Sequence, residues 1–220
     1  MGQMITIERP DEGHLDAYIS AIDKNRPGII VIQEWWGLND HIKSIVDRFD
    51  FEGFNALAPD MYHGRITKDA DEASHMMNGL DFPQAVYQDI AAALNHLKTI
   101  NPSVGVMGFC MGGALTIGAA VHLDGFAAAV TFYGIPPKDF ADPADIKIPL
   151  QGHFARQDDW ITPAVVADMT KAMDAAHNVP DVYSYDADHA FFNQTRPEVY
   201  NAEASEQAWT RMMAFLRIKL

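Results

Sequence analysis

Cys110 is the only cysteine in the chain, and it lies where a thiol could act as a nucleophile. It stands in the run Gly108-Phe109-Cys110-Met111-Gly112-Gly113, directly after an apolar stretch typical of a buried strand. Small residues two positions before and after the central residue are typical of a nucleophile elbow, the strained turn between a strand and a helix. Such a turn would aim the backbone N–H of Met111 at a developing oxyanion. The motif therefore predicts nucleophilic catalysis by sulfur.

A thiol nucleophile needs a base, and the base works best when an acid orients it. His189 follows the last predicted core strand, and Asp158 and Asp159 follow the strand predicted before it. Loops at the carboxyl ends of different strands supply these groups in the order nucleophile, acid, histidine. The residue pattern alone does not choose between the two aspartates. His153 falls inside a strand and is predicted to be a packed core residue.

Glu34 lies at another strand end, after the buried run 29–33 and before Trp35 and Trp36. A carboxyl group partly desolvated beside two indoles should have a raised pKa, which suits a proton acceptor for a neighbouring thiol. The alternative is a carboxylate that caps a helix or accepts hydrogen bonds from loop amides. The backbone N–H of Trp35 is the natural second donor to an oxyanion, beside that of Met111.

Strands and helices alternate along the chain after an N-terminal hairpin. Hydrophobic periodicity predicts strands at 4–7, 14–19, 28–32, 54–58, 104–107, 126–133, 148–154 and 182–185. It predicts helices at 40–51, 83–100, 163–176 and 197–219 and after Cys110, with Pro83, Pro163 and Pro197 in first helical turns. This order predicts the α/β class, a doubly wound, mostly parallel sheet with helices on both faces. The irregular stretch 59–81 is expected to cap a site.

Composition narrows the function further. The 220 residues predict a single domain, 1–220, and the formal charge of −14 argues against nucleic acid and anionic membrane surfaces as partners. One cysteine, no signal segment and no long apolar run predict a cytoplasmic protein, which we expect to be a monomer. No residue cluster has metal-ligand spacing, so we expect no metal and no cofactor. Arg65 and Arg156 could attract an anionic substrate, or could be ordinary surface arginines.

Together these segments resemble the dienelactone hydrolase family (carboxymethylenebutenolidases), which are cysteine members of the α/β-hydrolase superfamily. The resemblance covers nearly the whole chain and rests on residues 31–39, 58–62, 108–113 and 132–134 and on the segments around Asp158 and His189. It implies the α/β-hydrolase fold and an enzyme that hydrolyses a small-molecule substrate, either an ester or a lactone.

The resemblance also implies a role for each matched residue. Cys110 corresponds to the nucleophile, His189 to the base, and Glu34 to a glutamate that helps to deprotonate the thiol when substrate binds. The ungapped match from residue 153 to 158 favours Asp158 as the acid, and Asp159 is the alternative. The implied reaction passes through an acyl-thiol intermediate. A protein that has kept the fold without catalysis, with Cys110 as an oxidisable switch, is the rival hypothesis.

This chain departs from the family pattern at the substrate. Well-studied members have an arginine four residues after the histidine that helps to bind the carboxylate of dienelactone, and this chain has Asn193 there. A second carboxylate-binding arginine, expected around 71–77, is not evident either. The departure argues against dienelactone itself while keeping the hydrolytic class. Trp36, Tyr133 and Phe191 are candidates to line the substrate pocket, or are plain core residues.

Overall fold

The computed structural model describes residues 2–220, and eight strands of this part form one sheet in the order β1-β2-β4-β3-β5-β6-β7-β8. The pairs β1–β2 and β2–β4 are antiparallel, and the other five pairs are parallel. The strands are β1 Gln3–Glu8, β2 His14–Ile19, β3 Gly28–Ile32, β4 Asn55–Pro59, β5 Val104–Phe109, β6 Ala128–Phe132, β7 Leu150–Gln157 and β8 Asp181–Asp188.

Helices cover both faces of the sheet. Across residues 2–220 they are α1 Asp40–Phe51, α2 Ala70–Asn78, α3 Phe82–Gln84, α4 Ala91–Lys98, α5 Met111–His122, α6 Pro163–Ala175 and α7 Ala202–Lys219. A π-helical segment, Ala85–Ile90, joins α3 to α4, and a 3₁₀ turn covers Pro143–Asp145. Helices α1 and α7 pack on one face, and α4, α5 and α6 pack on the other. The predicted doubly wound α/β architecture is confirmed.

The central strands are continuously apolar because both of their faces are covered. All five residues of β3 are buried, with Ile29 and Val31 in the core cluster beneath α1 and α7 and Ile30 and Ile32 in the cluster on the opposite face. The chain leaves β3 toward β4 on one side and returns to β5 on the other. The strand order therefore reverses between β3 and β5, where open α/β sheets have their crevice. Glu34 and Cys110 follow these two strands.

Helix α7 and the stretch 59–81 differ from the sequence prediction. Helix α7 begins at Ala202 instead of residue 197, because Asn201 caps it by accepting a hydrogen bond from the N–H of Ala204. Pro197 therefore lies in the turn before the helix, not in its first turn. The stretch 59–81, expected to be irregular, contains α2, which Asp69 caps in the same way.

The turn after β5 is packed backbone against backbone. A Cβ added to Gly108 would lie 2.2 Å from the carbonyl oxygen of Gly112, and one added to Gly112 would lie 2.4 Å from that of Gln33. Neither neighbour is a flexible side chain, so any side chain at these positions would push the strand and the helix apart. The two glycines thus hold α5 against the ends of β3 and β5.

We expect Gly108→Ala to lower the free energy of unfolding by about 3 kcal/mol, because the added methyl group has no free volume. Gly79→Ala is the matched control, since its Cβ would meet the carbonyl oxygens of His75 and Met76 at 3.4 and 3.7 Å, which are ordinary contact distances. It should stay within about 0.5 kcal/mol of the wild type. Urea unfolding measures both, and equal stabilities for the two variants would show that the turn is not closely packed.

Candidate active site

Cys110 occupies the strained position that the elbow motif predicts. Its φ is 53° and its ψ is −116°, a left-handed conformation that non-glycine residues rarely adopt. Its N–H donates to the carbonyl oxygen of Phe132, and α5 begins at the next residue, Met111. Cys110 therefore lies at the N-terminus of α5, where the helix dipole is positive. Only 8% of the residue is exposed.

The side chains of Cys110, His189 and Asp158 form one connected chain. His189 Nε2 lies 3.2 Å from Cys110 Sγ, and His189 Nδ1 lies 2.7 Å from Asp158 Oδ2. These are hydrogen-bond distances, and they link the thiol to a buried carboxylate through the imidazole. Asp159, the alternative acid, is exposed. The structure thus brings Asp158 to the histidine.

Asp158 and His189 stabilise each other's charged forms. Burial lowers the pKa of His189, but the hydrogen bonds and charges of Asp158 and Cys110 outweigh it and raise that pKa to about 10. Burial raises the pKa of Asp158, yet its contact with His189 and the N–H groups of Trp160 and Ile161, each 2.8 Å from Oδ1, bring that pKa below its usual range. At neutral pH the pair is an ionised carboxylate and an imidazolium.

Glu34 is buried beside this chain and is held by two donors. Its Oε1 accepts a hydrogen bond from the Tyr133 hydroxyl at 3.2 Å, and its Oε2 accepts one from the Asn193 side-chain amide. Burial raises the pKa of Glu34, although the Asn193 hydrogen bond and the charge on His189 act in the opposite direction. The neutral amide of Asn193 therefore holds Glu34 without adding a positive charge.

The two amides expected to bind an oxyanion are free. Within residues 2–220, neither the N–H of Met111 nor that of Trp35 donates to a protein acceptor. The Tyr62 hydroxyl lies 3.1 Å from the sulfur of Met111, and this contact holds the Met111 side chain in place. Tyr62 belongs to the irregular stretch after β4, so this stretch does contact the site. The two amides remain available to a bound group.

A pocket of about 220 Å³ opens above the sulfur. Its lining residues are Glu34, Trp35, Trp36, Cys110, Trp160, His189, Ala190, Arg196 and Val199. Trp36 lines it as expected, but Tyr133 and Phe191 do not. Both are fully buried behind the pocket, where the Tyr133 hydroxyl is bonded to Glu34 and the two rings pack 5.4 Å apart. Of the two alternatives that the sequence leaves open for Tyr133 and Phe191, pocket wall or core, the structure favours the core.

Sequence reasoning missed four of the lining residues, Trp160, Ala190, Arg196 and Val199. Trp160 is half exposed, and its ring centroid lies 5.3 Å from those of both Trp35 and His189. The guanidinium of Arg196 lies 4.9 Å from the Trp36 ring. Trp160 could have been noticed in the sequence, because it stands two residues after Asp158 and so in the loop that carries the acid. Arg196 carried no such signal.

The other basic and histidine candidates lie outside the pocket. Arg65 pairs with Glu72 on the surface, and Arg156 is exposed on β7. His153 is fully buried and bonded to Gln151 and Tyr185, so its prediction as a core residue is confirmed.

This part of the chain, residues 2–220, has neither a candidate metal cluster nor a candidate membrane span. No group of three or more His, Cys, Asp or Glu residues in this part could hold a metal ion. No helix in it is both long enough and apolar enough to cross a membrane.

Comparison with known proteins identifies the family. The model of the dienelactone hydrolase family matches residues 15–220. Protein usf of Aquifex pyrophilus is 35% identical over 229 residues, covering 99% of this chain and 98% of that protein. An Aquifex aeolicus protein provisionally named a carboxymethylenebutenolidase is 29% identical over 232 residues, with 100% of each chain covered.

A solved structure agrees with these matches. The crystal structure of a Klebsiella pneumoniae protein, provisionally described as a dienelactone hydrolase, superposes with a TM-score of 0.87 at 26% identity. The superposition covers 97% of each chain, so the sheet and its helices correspond throughout. The chain therefore belongs to the dienelactone hydrolase family and has the α/β-hydrolase fold.

Proposed function

We propose that this protein hydrolyses small esters or lactones through a thiolate at Cys110 and an acyl-thiol intermediate. Its family supports the broader class, a carboxylic ester hydrolase. The observation that carries the finer proposal is the connected chain from Cys110 Sγ through His189 to Asp158, at the base of a pocket. A structural histidine would not need to join a buried acid to the thiol at a nucleophile elbow.

In the first half of the reaction the sulfur replaces the alcohol. The thiolate of Cys110, stabilised by the charged His189, attacks the carbonyl carbon and forms a C–S bond. The carbonyl oxygen becomes an oxyanion that accepts hydrogen bonds from the N–H groups of Met111 and Trp35. When the C–O bond breaks, the leaving alkoxide takes the proton from His189 Nε2. The acyl group remains on Cys110.

In the second half water replaces the sulfur. His189, now neutral, takes a proton from water as the water oxygen attacks the thioester carbonyl. Asp158 holds Nδ1, so that Nε2 faces the reacting atoms and the imidazolium is stabilised each time it forms. Collapse of the second oxyanion breaks the C–S bond and restores the thiolate. One ester and one water give one acid and one alcohol.

Glu34 supplies a second proton acceptor. A His189 that already carries two protons cannot deprotonate any Cys110 still present as thiol. Burial raises the pKa of Glu34, and the side chain lines the same pocket as Cys110. We therefore assign Glu34 the removal of the thiol proton when substrate enters.

The substrate we propose is a neutral ester or lactone. Asn193, which stands where the resemblance expects a carboxylate-binding arginine, is fully buried and occupied by Glu34. The formal charge of −14 also repels anions at long range. Dienelactone, which carries a carboxylate, is therefore not the substrate we propose.

We expect Cys110→Ala to reduce kcat/KM for p-nitrophenyl acetate at least about 1,000-fold, because no other group in the pocket replaces the sulfur. The fold should persist, since alanine places the same Cβ in the same strained turn. Initial rates and thermal unfolding of the wild type and the variant are compared. A folded Cys110→Ala protein with undiminished turnover would falsify the role of Cys110.

We expect Glu34→Gln to slow acylation of Cys110 about 100-fold while changing stability much less, because an amide cannot accept the thiol proton. The rate of Cys110 alkylation by iodoacetamide across pH measures the thiolate directly, since the chain has no other cysteine. Glu72→Gln, an exposed acid paired with Arg65, is the control. Identical alkylation profiles for Glu34→Gln and wild type would contradict the assignment.

We expect Asp158→Asn to lower stability in a window of pH that the two pKa shifts define. The pKa of His189 is raised from 6.5 to about 10, so its contribution is complete below about pH 6.5 and is lost as pH rises through 10. The pKa of Asp158 is lowered, so its contribution is lost as pH falls below its unfolded value of 3.8. The difference from wild type should therefore be largest between these limits.

Urea unfolding at intervals from pH 4 to 10.5 measures this difference. Asp159→Asn is the matched control, because Asp159 is adjacent but exposed, and it should follow the wild type throughout. A constant difference across the whole range would mean that the stabilisation does not come from the Asp158–His189 ion pair.

A further inference from the structure

A second, larger pocket shares a wall with the catalytic one. It measures about 500 Å³ and is lined by Trp36, Asn39, Asp40, His41, Ile66, Thr67, Lys68, Thr195 and Arg196. Trp36 and Arg196 belong to both pockets. At about 220 Å³, the catalytic pocket alone is smaller than the roughly 300–1,000 Å³ usual for ligand sites, and the two together fall within that range.

The second pocket is held in place by backbone contacts. The N–H of Thr67 donates to the carbonyl oxygen of Trp36 at 3.1 Å, which fastens the loop after β4 to the end of β3. Gly37 has a φ of +94°, and a Cβ there would lie 2.4 Å from the carbonyl oxygen of Arg65. Only glycine permits this approach without strain. The loop that carries Ile66 is thus seated directly on the residues that form the catalytic pocket.

A row of aromatic rings runs along the catalytic pocket from His189 to Trp36. His189 contacts Trp160, Trp160 contacts Trp35, and Trp35 contacts Trp36, with centroid distances of 5.3, 5.3 and 5.1 Å. Arg196 lies over Trp36 at the far end of this row. The leaving oxygen must take its proton from His189, so the alcohol part of an ester lies at the His189 end. The acyl part is left to extend toward Trp36 and the second pocket.

Arg196, which lines both pockets, is weakly held between them. The side chain of Arg196 is 35% exposed, and the contacts that hold it within residues 2–220 are the Trp36 ring and an ion pair with Glu198. Cation–π contacts and ion pairs of a partly exposed arginine contribute little to stability. The guanidinium can therefore move aside at low cost when an acyl chain passes along Trp36.

The charges around the second pocket favour an apolar occupant. Asp40 lines the same pocket as Lys68, and Arg196 forms an ion pair with Glu198. Within residues 2–220, the lining therefore does not offer two free cations to an anionic ligand. Ile66 is 52% exposed, a large aliphatic side chain that contributes little to the core. With the Trp36 ring it offers an apolar wall that a ligand could cover.

We propose that this second pocket, bounded by Trp36, Ile66 and Arg196, is a subsite for the remote end of an aliphatic acyl chain. The inference rests on the proposed function, because it assigns the acyl side of that reaction to a place in the structure. Medium-chain acyl esters are then better substrates than acetates, since each methylene buried favours binding by about fourfold.

The test compares p-nitrophenyl octanoate with p-nitrophenyl acetate, which share one leaving group. In the wild type the octanoate should have a kcat/KM at least about 10-fold higher, mainly through KM. Ile66→Trp, which fills the pocket, and Ile66→Ala, which removes its wall, should each lower the octanoate-to-acetate ratio several-fold. Ile218→Trp is the matched control, because Ile218 is exposed at the end of α7 and should leave the ratio unchanged.

Each contrary result overturns a different statement. A wild type without chain-length preference, or Ile66 variants that leave the ratio unchanged, would overturn the subsite while leaving the esterase intact. Faster hydrolysis of the p-nitrophenyl monoester of octanedioic acid than of the octanoate would overturn its apolar character. Absence of any Cys110-dependent hydrolysis of the acetate would instead overturn the proposed function itself.

Discussion

The hydrogen bond between the Asp158 carboxylate and the His189 imidazole is the interaction on which the site depends. Burial alone would keep His189 neutral, and it would leave Asp158 as a costly unpaired charge. Their 2.7 Å contact reverses both tendencies and fixes the orientation of the ring. His189 Nε2 lies 3.2 Å from Cys110 Sγ, close enough for a charged imidazole to stabilise the thiolate that we propose. The reactivity we propose for the sulfur follows from a carboxylate that never touches it.

The sheet makes this arrangement possible. Parallel strands deliver their following loops to one edge, and the reversal of strand order between β3 and β5 opens a crevice there. Glu34 and Cys110 border the crevice, and the loops after β7 and β8 bring the acid and the histidine to it. Strain at Cys110 is tolerated because Gly108 and Gly112 let the surrounding backbone pack without side chains. Fold and chemistry thus depend on the same few glycines.

Much of this could be predicted from the sequence, because continuous apolar runs and helical periodicity report burial directly. The limits of β3 and α1 agree with prediction, and Cys110 and His189 lie where the strand-to-loop pattern puts them. The choice between Asp158 and Asp159 could not be made from the residue pattern alone. The register of β7 and β8 shifts between Ala155 and Gln157, and such an irregularity decides which way the following side chains point.

The pocket walls were harder to predict than the reacting groups. Trp160 and Arg196 come from loops, whose reach depends on how neighbouring segments pack and not on any local period. The choice between wall and core for Tyr133 stayed open in the sequence, because composition cannot tell which face of a strand end an aromatic ring takes. In the structure it packs inward and donates to Glu34.

The most direct test of the central claim is the mass of the Cys110 peptide after acid quenching of the protein during turnover of p-nitrophenyl acetate. Our account predicts a gain of one acetyl group on Cys110 that builds up within the first turnover and disappears when substrate is exhausted. Continued hydrolysis with Cys110 unmodified at every time point would contradict it, provided that a reference thioester peptide survives the same quench and digestion.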